Sequence, residues 1–115
     1  EDDYFVLKPK HSAFFATTLE VLLKYLRVDT LILGGYSGDA CVLLTASDAY
    51  MRDLHIHVPE DCTASTNPRE NARALAYKRR LFDVDTTPSD RLDLGRLRRG
   101  EPPSPPRDAN GAPSE

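Results

Sequence analysis

A continuous apolar run that ends in two glycines constrains the fold of this chain more than any other feature. Residues 30–33 read Thr-Leu-Ile-Leu and are followed by Gly34 and Gly35. Such a run is typical of a strand that is buried on both faces in the centre of a sheet, and the glycines predict a tight turn. A helix fits residues 40–52 directly after this turn. Four of its residues are predicted to face inward: Cys41, Leu44, Ala49 and Met51.

Further apolar runs predict the other strands. Residues 4–7 are aromatic and β-branched and stop before Pro9. Residues 54–58 form a second such run, and residues 82–86 favour a last short strand. Runs of this length, bounded by turn residues, are typical of buried strands.

Two more helices alternate with these strands. A helix is predicted over residues 17–27, where Thr17 and Glu20 have the spacing of a capping box. Another is predicted over residues 68–81, with Asn67 as its N-cap. Strand and helix recur about every 25 residues, which is typical of β-α-β units in a parallel sheet. The expected fold is therefore α/β, a three-layer Rossmann-like parallel sheet with flanking helices.

Composition limits the classes of function. The chain has 115 residues, 40% of them hydrophobic, and a formal net charge of -3. That size predicts one domain, and that charge provides no basic field for nucleic acid. The apolar runs are too short to span a membrane, and the acidic first residues do not resemble a signal peptide. We therefore expect a cytoplasmic protein with no nucleic-acid and no membrane partner. Two cysteines are too few for a secreted disulfide framework.

The C-terminal end differs in composition from the rest. Five of the nine prolines follow Gly100, with alanine as the only apolar residue type there. Such a segment cannot offset the entropy of ordering its backbone. We expect a folded domain over residues 1–90 and a mostly disordered, proline-rich tail over residues 91–115.

The turn before the second helix is the strongest candidate site. Cys41 lies in the first predicted turn of that helix, where free amides and the helix dipole favour an anion. They could stabilise a thiolate or an oxyanion, or bind a phosphate, whereas Cys41 could equally be a small buried apolar residue. Lys8 ends the first strand, so its amine is expected at the same sheet edge. Asp39 is interpreted as a charge that favours the helix dipole rather than as a catalytic base.

Other residues are weaker candidates for a functional site. His55 and His57 share a strand face and could offer two metal ligands, but no third ligand has a recognisable spacing, so no metal is predicted. Cys62 is interpreted as structural. Basic residues give the third helix one charged side, interpreted as a solvated face or an oligomer contact. They are Arg69, Arg73, Lys78, Arg79 and Arg80. The segment 35–39 lacks the last glycine of a serine-hydrolase elbow.

Four blocks carry a resemblance to a known family. They lie at residues 8–14, 31–35, 39–49 and 59–65, in this order. Together they resemble the isochorismatase-like cysteine hydrolases of the nicotinamidase and N-carbamoyl amidase type. The resemblance extends over residues 4–82 and leaves the tail outside.

The resemblance implies an amidase with an Asp, Lys and Cys triad, and no cofactor is predicted for this chain. Cys41 matches the nucleophile and Lys8 the lysine of the triad. It also implies a cis peptide between Tyr36 and Ser37, with the amides of Ser37 and Cys41 as oxyanion donors. The reaction implied is cleavage of a C–N amide bond of a small molecule through a thioester. A homo-oligomer is implied for full-length members.

The departures from the family pattern leave a second hypothesis open. No residue here matches the triad aspartate, which precedes the lysine in the family, or the metal ligands of the nicotinamidases. Gly38 lies where the family usually has threonine or serine. The chain is therefore expected to be the C-terminal portion of a family member, with little activity alone. The alternative to an enzyme is an inactive truncated remnant, or an oligomerisation or binding module.

Overall fold

Parallel strands and flanking helices form the described part of the chain, residues 2–99, in the computed structural model. The alternation predicted from the sequence is confirmed, and with it the α/β class. The elements are α1 Leu19–Leu26, β1 Thr30–Ile32, β2 Gly35–Tyr36, α2 Cys41–Met51, β3 His55–His57, β4 Thr63–Ala64, α3 Pro68–Phe82, a 3₁₀ turn Ser89–Arg91 and α4 Leu94–Arg98.

The strands pair in parallel in two short ladders. β1 pairs with β3, with Leu31 opposite Ile56, and β2 pairs with β4, with Gly35 opposite Thr63. The strand predicted over residues 82–86 is reduced to one parallel bridge between Asp85 and His57. Because β2 and β4 run parallel, the turn after β2 lies at the carboxyl end of this strand pair.

Two strand predictions are wrong. Residues 4–7 form no strand, and Phe5 and Leu7 are 91% and 92% exposed. The prediction fails because no strand within residues 2–99 offers this segment a backbone partner. β1 was expected to be buried on both faces, yet Ile32 is 46% exposed. Within the described residues β1 has a neighbour, β3, on one side only.

The core lies between α2, α3 and one face of the sheet. It is built from Phe14, Val42, Ala46, Ala49, Ile56, Val58, Leu75 and Val84. The fully buried Ala46 and Ala49 let α2 approach β3 closely. The predicted inward face of this helix is wrong at Leu44 and Met51, which are exposed. Ala49 is buried as predicted, but the other buried residues of this helix are Val42, Thr45 and Ala46, so the buried face is rotated by about one residue from Leu44.

The helix caps give one confirmed and one wrong prediction. Asn67 caps α3, because its Oδ1 accepts from the backbone N–H of Arg69 at 2.8 Å. The capping box at Thr17 and Glu20 does not form, and Thr18 occupies the N-cap of α1 without a side-chain bond. Glu20 instead pairs with Arg52, since its carboxylate is 3.1 Å from Nε of that residue. A tertiary ion pair has taken the place of the local cap.

Residues 100–115 of the predicted tail lie outside the described residues. The 3₁₀ turn Ser89–Arg91 ends where the predicted tail begins, and within the described part of the tail Leu94–Arg98 forms α4. The boundary of the domain stays a prediction. None of the described helices is both long and apolar enough to cross a membrane.

Candidate active site

Lys8 and Cys41 lie next to each other in space. The Nζ of Lys8 is 3.5 Å from the Sγ of Cys41, although 33 positions separate the two residues in the chain. Cys41 is the first residue of α2 and is half-buried, whereas Lys8 is exposed and also donates to the carbonyl of Lys10 at 3.3 Å. The structure therefore places a thiol, an ammonium group and a helix N-terminus together.

Hydrogen bonds to α2 hold the segment that carries Lys8. The backbone N–H of Ala13 donates to the Oγ1 of Thr45 at 3.0 Å, and the hydroxyl of the buried Ser12 donates to the carboxylate of Asp48. Thr45 and Asp48 lie on the helix that begins with Cys41. The helix that carries Cys41 therefore also holds the segment that carries Lys8.

A cation-π contact extends this anchorage. The guanidinium of Arg52 lies 4.6 Å from the ring centroid of Phe14, which is buried. Arg52 also pairs with Glu20 at 3.1 Å and with Asp48 at 3.4 Å. Because the ring and two carboxylates share one guanidinium, the segment after Lys8, α1 and the end of α2 are tied together.

The turn between β2 and α2 carries the groups expected to bind an oxyanion. Its Tyr36–Ser37 peptide bond is cis, at the position where the family resemblance places one. The carbonyl of Ser37 accepts from the N–H groups of Ala40 at 3.3 Å and Val42 at 3.1 Å. Within residues 2–99, the backbone N–H groups of Ser37 and Cys41 have no recorded backbone or side-chain acceptor. Both amides are therefore available to an outside acceptor.

A buried lysine on α3 supports this turn. The sequence predicts that Lys78 lies on a solvated face or in an oligomer contact, and this is wrong, because Lys78 is fully buried and its Nζ donates to the carbonyl of Gly38 at 2.8 Å. Burial lowers the pKa of Lys78 to about 8, and the carboxylate of Asp39 acts against this shift. The pattern contained a usable signal, because Lys78 follows the apolar residues Ala74 and Leu75 at helical spacing.

Asn71, about two turns before Lys78 on the same face of α3, explains the glycine in the turn. A Cβ on Gly38 would lie 2.1 Å from the Oδ1 of Asn71. That side chain is fixed by two bonds, from its Nδ2 to the carbonyl of Thr63 at 3.3 Å and from the Oγ of Ser65 to its Oδ1 at 3.2 Å. The space that a threonine or serine would need at position 38 is thus occupied by a neighbouring helix.

The remaining candidates lie apart from the pair. Asp39 is exposed, and the hydroxyl of Ser37 donates to its carboxylate and lowers its pKa. Cys62 is exposed, and its thiol is 3.8 Å from the carboxylate of Asp61. His55 and His57 line a cavity of about 850 Å³, together with residues at the end of α2 and after α3 such as Tyr50 and Asp83. The Nδ1 of His57 has no hydrogen-bond partner in the described structure and is 3.7 Å from the nearer carboxylate oxygen of Asp85.

The described residues do not fit a metal ion. No group of three or more His, Cys, Asp or Glu side chains in residues 2–99 is arranged to hold one. Nor does any carboxylate in this range form a hydrogen bond or ion pair with Lys8 or Cys41. What these residues can supply is a nucleophile, a cation beside it and two free amides.

Comparison with known proteins agrees with this arrangement. The sequence profile of the Isochorismatase domain matches residues 1–88. The uncharacterized isochorismatase family protein YaaI of Bacillus subtilis is 43% identical over 90 residues, which are 78% of this chain and 50% of that protein. Maleamate amidohydrolase of Pseudomonas putida is 35% identical over 79 residues, 69% of this chain and 34% of that enzyme. The chain thus spans half or less of the length of these relatives.

The fold agrees as well. The crystal structure of N-carbamoylsarcosine amidase from Thermoplasma acidophilum matches with a TM-score of 0.72 and 33% identity, over 79% of this chain and 51% of that one. The profile match covers most of the chain, including the segments that carry Lys8 and Cys41. This chain therefore belongs to the isochorismatase-like cysteine hydrolase family.

Proposed function

We propose that this chain is part of a cysteine hydrolase that cleaves a C–N amide bond of a small molecule. The observation that carries the proposal is the 3.5 Å contact between the Nζ of Lys8 and the Sγ of Cys41 at the start of α2. An ammonium group and a helix N-terminus both favour a thiolate over a thiol. Cys41 is therefore the proposed nucleophile and Lys8 its cationic partner.

The proposed reaction has two steps. The thiolate of Cys41 attacks the amide carbonyl carbon, and the electron pair of the C=O bond moves to oxygen, where the amides of Ser37 and Cys41 donate to it. The C=O bond then re-forms as the C–N bond breaks, the nitrogen takes up the proton that the Cys41 thiol gave up and leaves as an amine or ammonia, and a thioester remains on Cys41. Water attacks the thioester, which releases a carboxylic acid and restores the thiol.

Proton transfer is the step that the described residues support least. In residues 2–99 no carboxylate contacts Lys8 or Cys41, so the proton of the thiol and that of the attacking water have no acceptor among these contacts. A general base contributes about 10²- to 10⁴-fold to such steps. We infer that this chain on its own acylates Cys41 more readily than it turns over an amide.

The substrate class follows from the relatives only in outline. A maleamate amidohydrolase and an N-carbamoylsarcosine amidase are, by their names, enzymes that act on small amides. We propose a small amide here too, without choosing one. The cytoplasmic location, the absence of nucleic-acid and membrane partners, the lack of a cofactor and the homo-oligomeric state remain predictions.

An activated ester tests the nucleophile without requiring the base. p-Nitrophenyl acetate has a leaving group that departs unprotonated, so acylation of Cys41 should release a burst of about one equivalent of nitrophenolate. We expect the burst and an acetylated Cys41 in the intact mass spectrum, both lost in Cys41→Ala and retained in the matched control Cys62→Ala. A burst that survives Cys41→Ala contradicts the proposal. No burst from the folded wild type favours the alternative, an inactive remnant or binding module.

Turnover is measured separately, on a panel of small amides that includes nicotinamide and N-carbamoyl compounds. Activity that disappears in Cys41→Ala supports the hydrolase. Light scattering on the same samples gives the oligomeric state.

A further inference from the structure

We propose that Lys78 is a positioning residue for Cys41, acting through the carbonyl of Gly38. This inference rests on the proposed function, since it assigns a purpose to the placement of the nucleophile. The residue lies on α3, outside the Lys8–Cys41 pair, and makes no direct contact with the thiol in the described structure.

The contact is short and protected from water. Lys78 is fully buried, and its Nζ is 2.8 Å from the carbonyl oxygen of Gly38, which is itself buried. The N–H of Gly38 donates to the carbonyl of Ala64 at 2.8 Å. One glycine is thereby held on both sides, by α3 through its carbonyl and by β4 through its amide.

The position of Gly38 determines where α2 begins. The preceding residue, Ser37, accepts bonds from Ala40 and Val42, so the turn and the first residues of the helix form one hydrogen-bonded unit. Cys41 lies within this unit. A shift of the Gly38 carbonyl therefore moves the amides of Ser37 and Cys41 relative to the sulfur, and catalysis is sensitive to displacements of this kind.

The chemistry of the contact distinguishes positioning from simple packing. An apolar side chain could fill this site without the cost of burying an ammonium group. The low pKa of Lys78 reflects that cost, and Asp39 in the same turn is the charged group within residues 2–99 that acts against it. A charged donor bonds the Gly38 carbonyl more strongly than a neutral amine does. The charge on Lys78 therefore strengthens the hydrogen bond that holds the Gly38 carbonyl in the turn.

The test compares Lys78→Met with Arg69→Met, an exposed basic residue on the same helix. The readout is the second-order rate constant for alkylation of each cysteine by iodoacetamide at pH 7, followed by mass spectrometry. We expect at least about a threefold decrease at Cys41 in Lys78→Met, no change at Cys62, and wild-type rates in Arg69→Met. A smaller decrease at Cys41 in a folded Lys78→Met overturns the proposal.

The pH profile separates positioning from a structural effect. The ratio of the Cys41 rate constants, wild type over Lys78→Met, should fall as the pH rises through about 8, because Lys78 loses its charge there. A ratio independent of pH overturns the proposal.

A measurement on the wild type remains if the variant does not fold. In an NMR titration against pH, the amide resonances of Gly38, Asp39 and Cys41 should shift with the same midpoint as the deprotonation of the Lys78 side chain. Resonances that do not shift overturn the proposal. The alkylation rates and the NMR titration are both measured without a substrate. Equal alkylation rates of Cys41 and Cys62 in the wild type would contradict the proposed function. The NMR titration would then still test whether Lys78 holds the turn.

Discussion

Replacing Gly38 by alanine tests the close contact between the turn and α3. The φ of Gly38 is outside the left-handed region, so an alanine there brings no backbone strain. Its Cβ, however, would lie 2.1 Å from the Oδ1 of Asn71, far inside van der Waals contact. The side chain of Asn71 has to rotate away, and it then loses its bonds to Thr63 and Ser65.

The magnitude follows from those two bonds. Each contributes about 1 kcal/mol to the free energy of unfolding, so their loss costs about 2 kcal/mol. A glycine-to-alanine change returns about 0.5 to 1 kcal/mol by restricting the unfolded chain. We expect Gly38→Ala to lower the free energy of unfolding by about 1 to 1.5 kcal/mol. In an Asn71→Ala background the 2.1 Å contact is gone and the Cβ of Thr63, at 3.3 Å, is the nearest remaining neighbour. A small shift of Thr63 relieves that contact, so the same change should be neutral or stabilising.

Urea unfolding followed by circular dichroism measures the four members of this cycle. The expected coupling between positions 38 and 71 is about 1 to 2 kcal/mol, above the few tenths found for independent sites. The loss of stability caused by Gly38→Ala should disappear or reverse in the Asn71→Ala background. An equal loss of stability in both backgrounds would refute the argument, because the cost would then not arise from the contact with Asn71.

Further predictions concern the charges around the site. The pKa of Lys78 is about 8 in the folded protein against an ordinary 10.5, so between these pH values the unfolded chain binds more protons than the folded one. Urea unfolding should therefore show that the wild type gains stability relative to Lys78→Met as the pH rises from about 8 to about 10.5. A difference in stability that does not change with pH would show that the pKa is not lowered. Lys8→Met should slow alkylation of Cys41 by iodoacetamide about tenfold at pH 7 without affecting Cys62, and an unchanged rate would remove Lys8 from the site. Asp48→Ala should also slow the alkylation of Cys41, because it releases Ser12 and the segment that carries Lys8, and addition of salt should not restore the rate. A wild-type rate of alkylation in this variant would show that the hydrogen bond from Ser12 to Asp48 is not needed to hold Lys8 in place.

The sequence predicted the parts of the structure that depend on local patterns. The alternation of strands and helices from residue 17 onward, the helix predicted over residues 40–52, which forms as Cys41–Met51, and the cap at Asn67 follow from periodicity and from turn and cap residues. These features need no knowledge of distant contacts. The proximity of Lys8 to Cys41 was also predicted, but from a first strand that the described residues do not form. Hydrogen bonds from Ser12 and Ala13 to α2 hold the segment that carries Lys8 instead.

The features that were missed depend on distant partners. Residues 4–7 have the composition of a strand, but a strand also needs a neighbour to pair with. Glu20 has the spacing of a capping residue, but Arg52 from another helix takes its carboxylate. Lys78 has the charge of a surface residue, yet the carbonyl of Gly38 lies within its reach inside the fold. Composition cannot reveal a partner that only the tertiary structure brings close.

The central claim is that Cys41 is an activated thiol, and Cys62 on the same chain is its internal control. The most direct measurement is the ratio of their alkylation rate constants in the wild type, obtained from a time course with limiting iodoacetamide at pH 7 and peptide mass spectrometry. The account predicts that Cys41, although less exposed than Cys62, reacts at least about tenfold faster, since it lies beside Lys8 at the start of α2. Equal rates, or a faster Cys62, would contradict it.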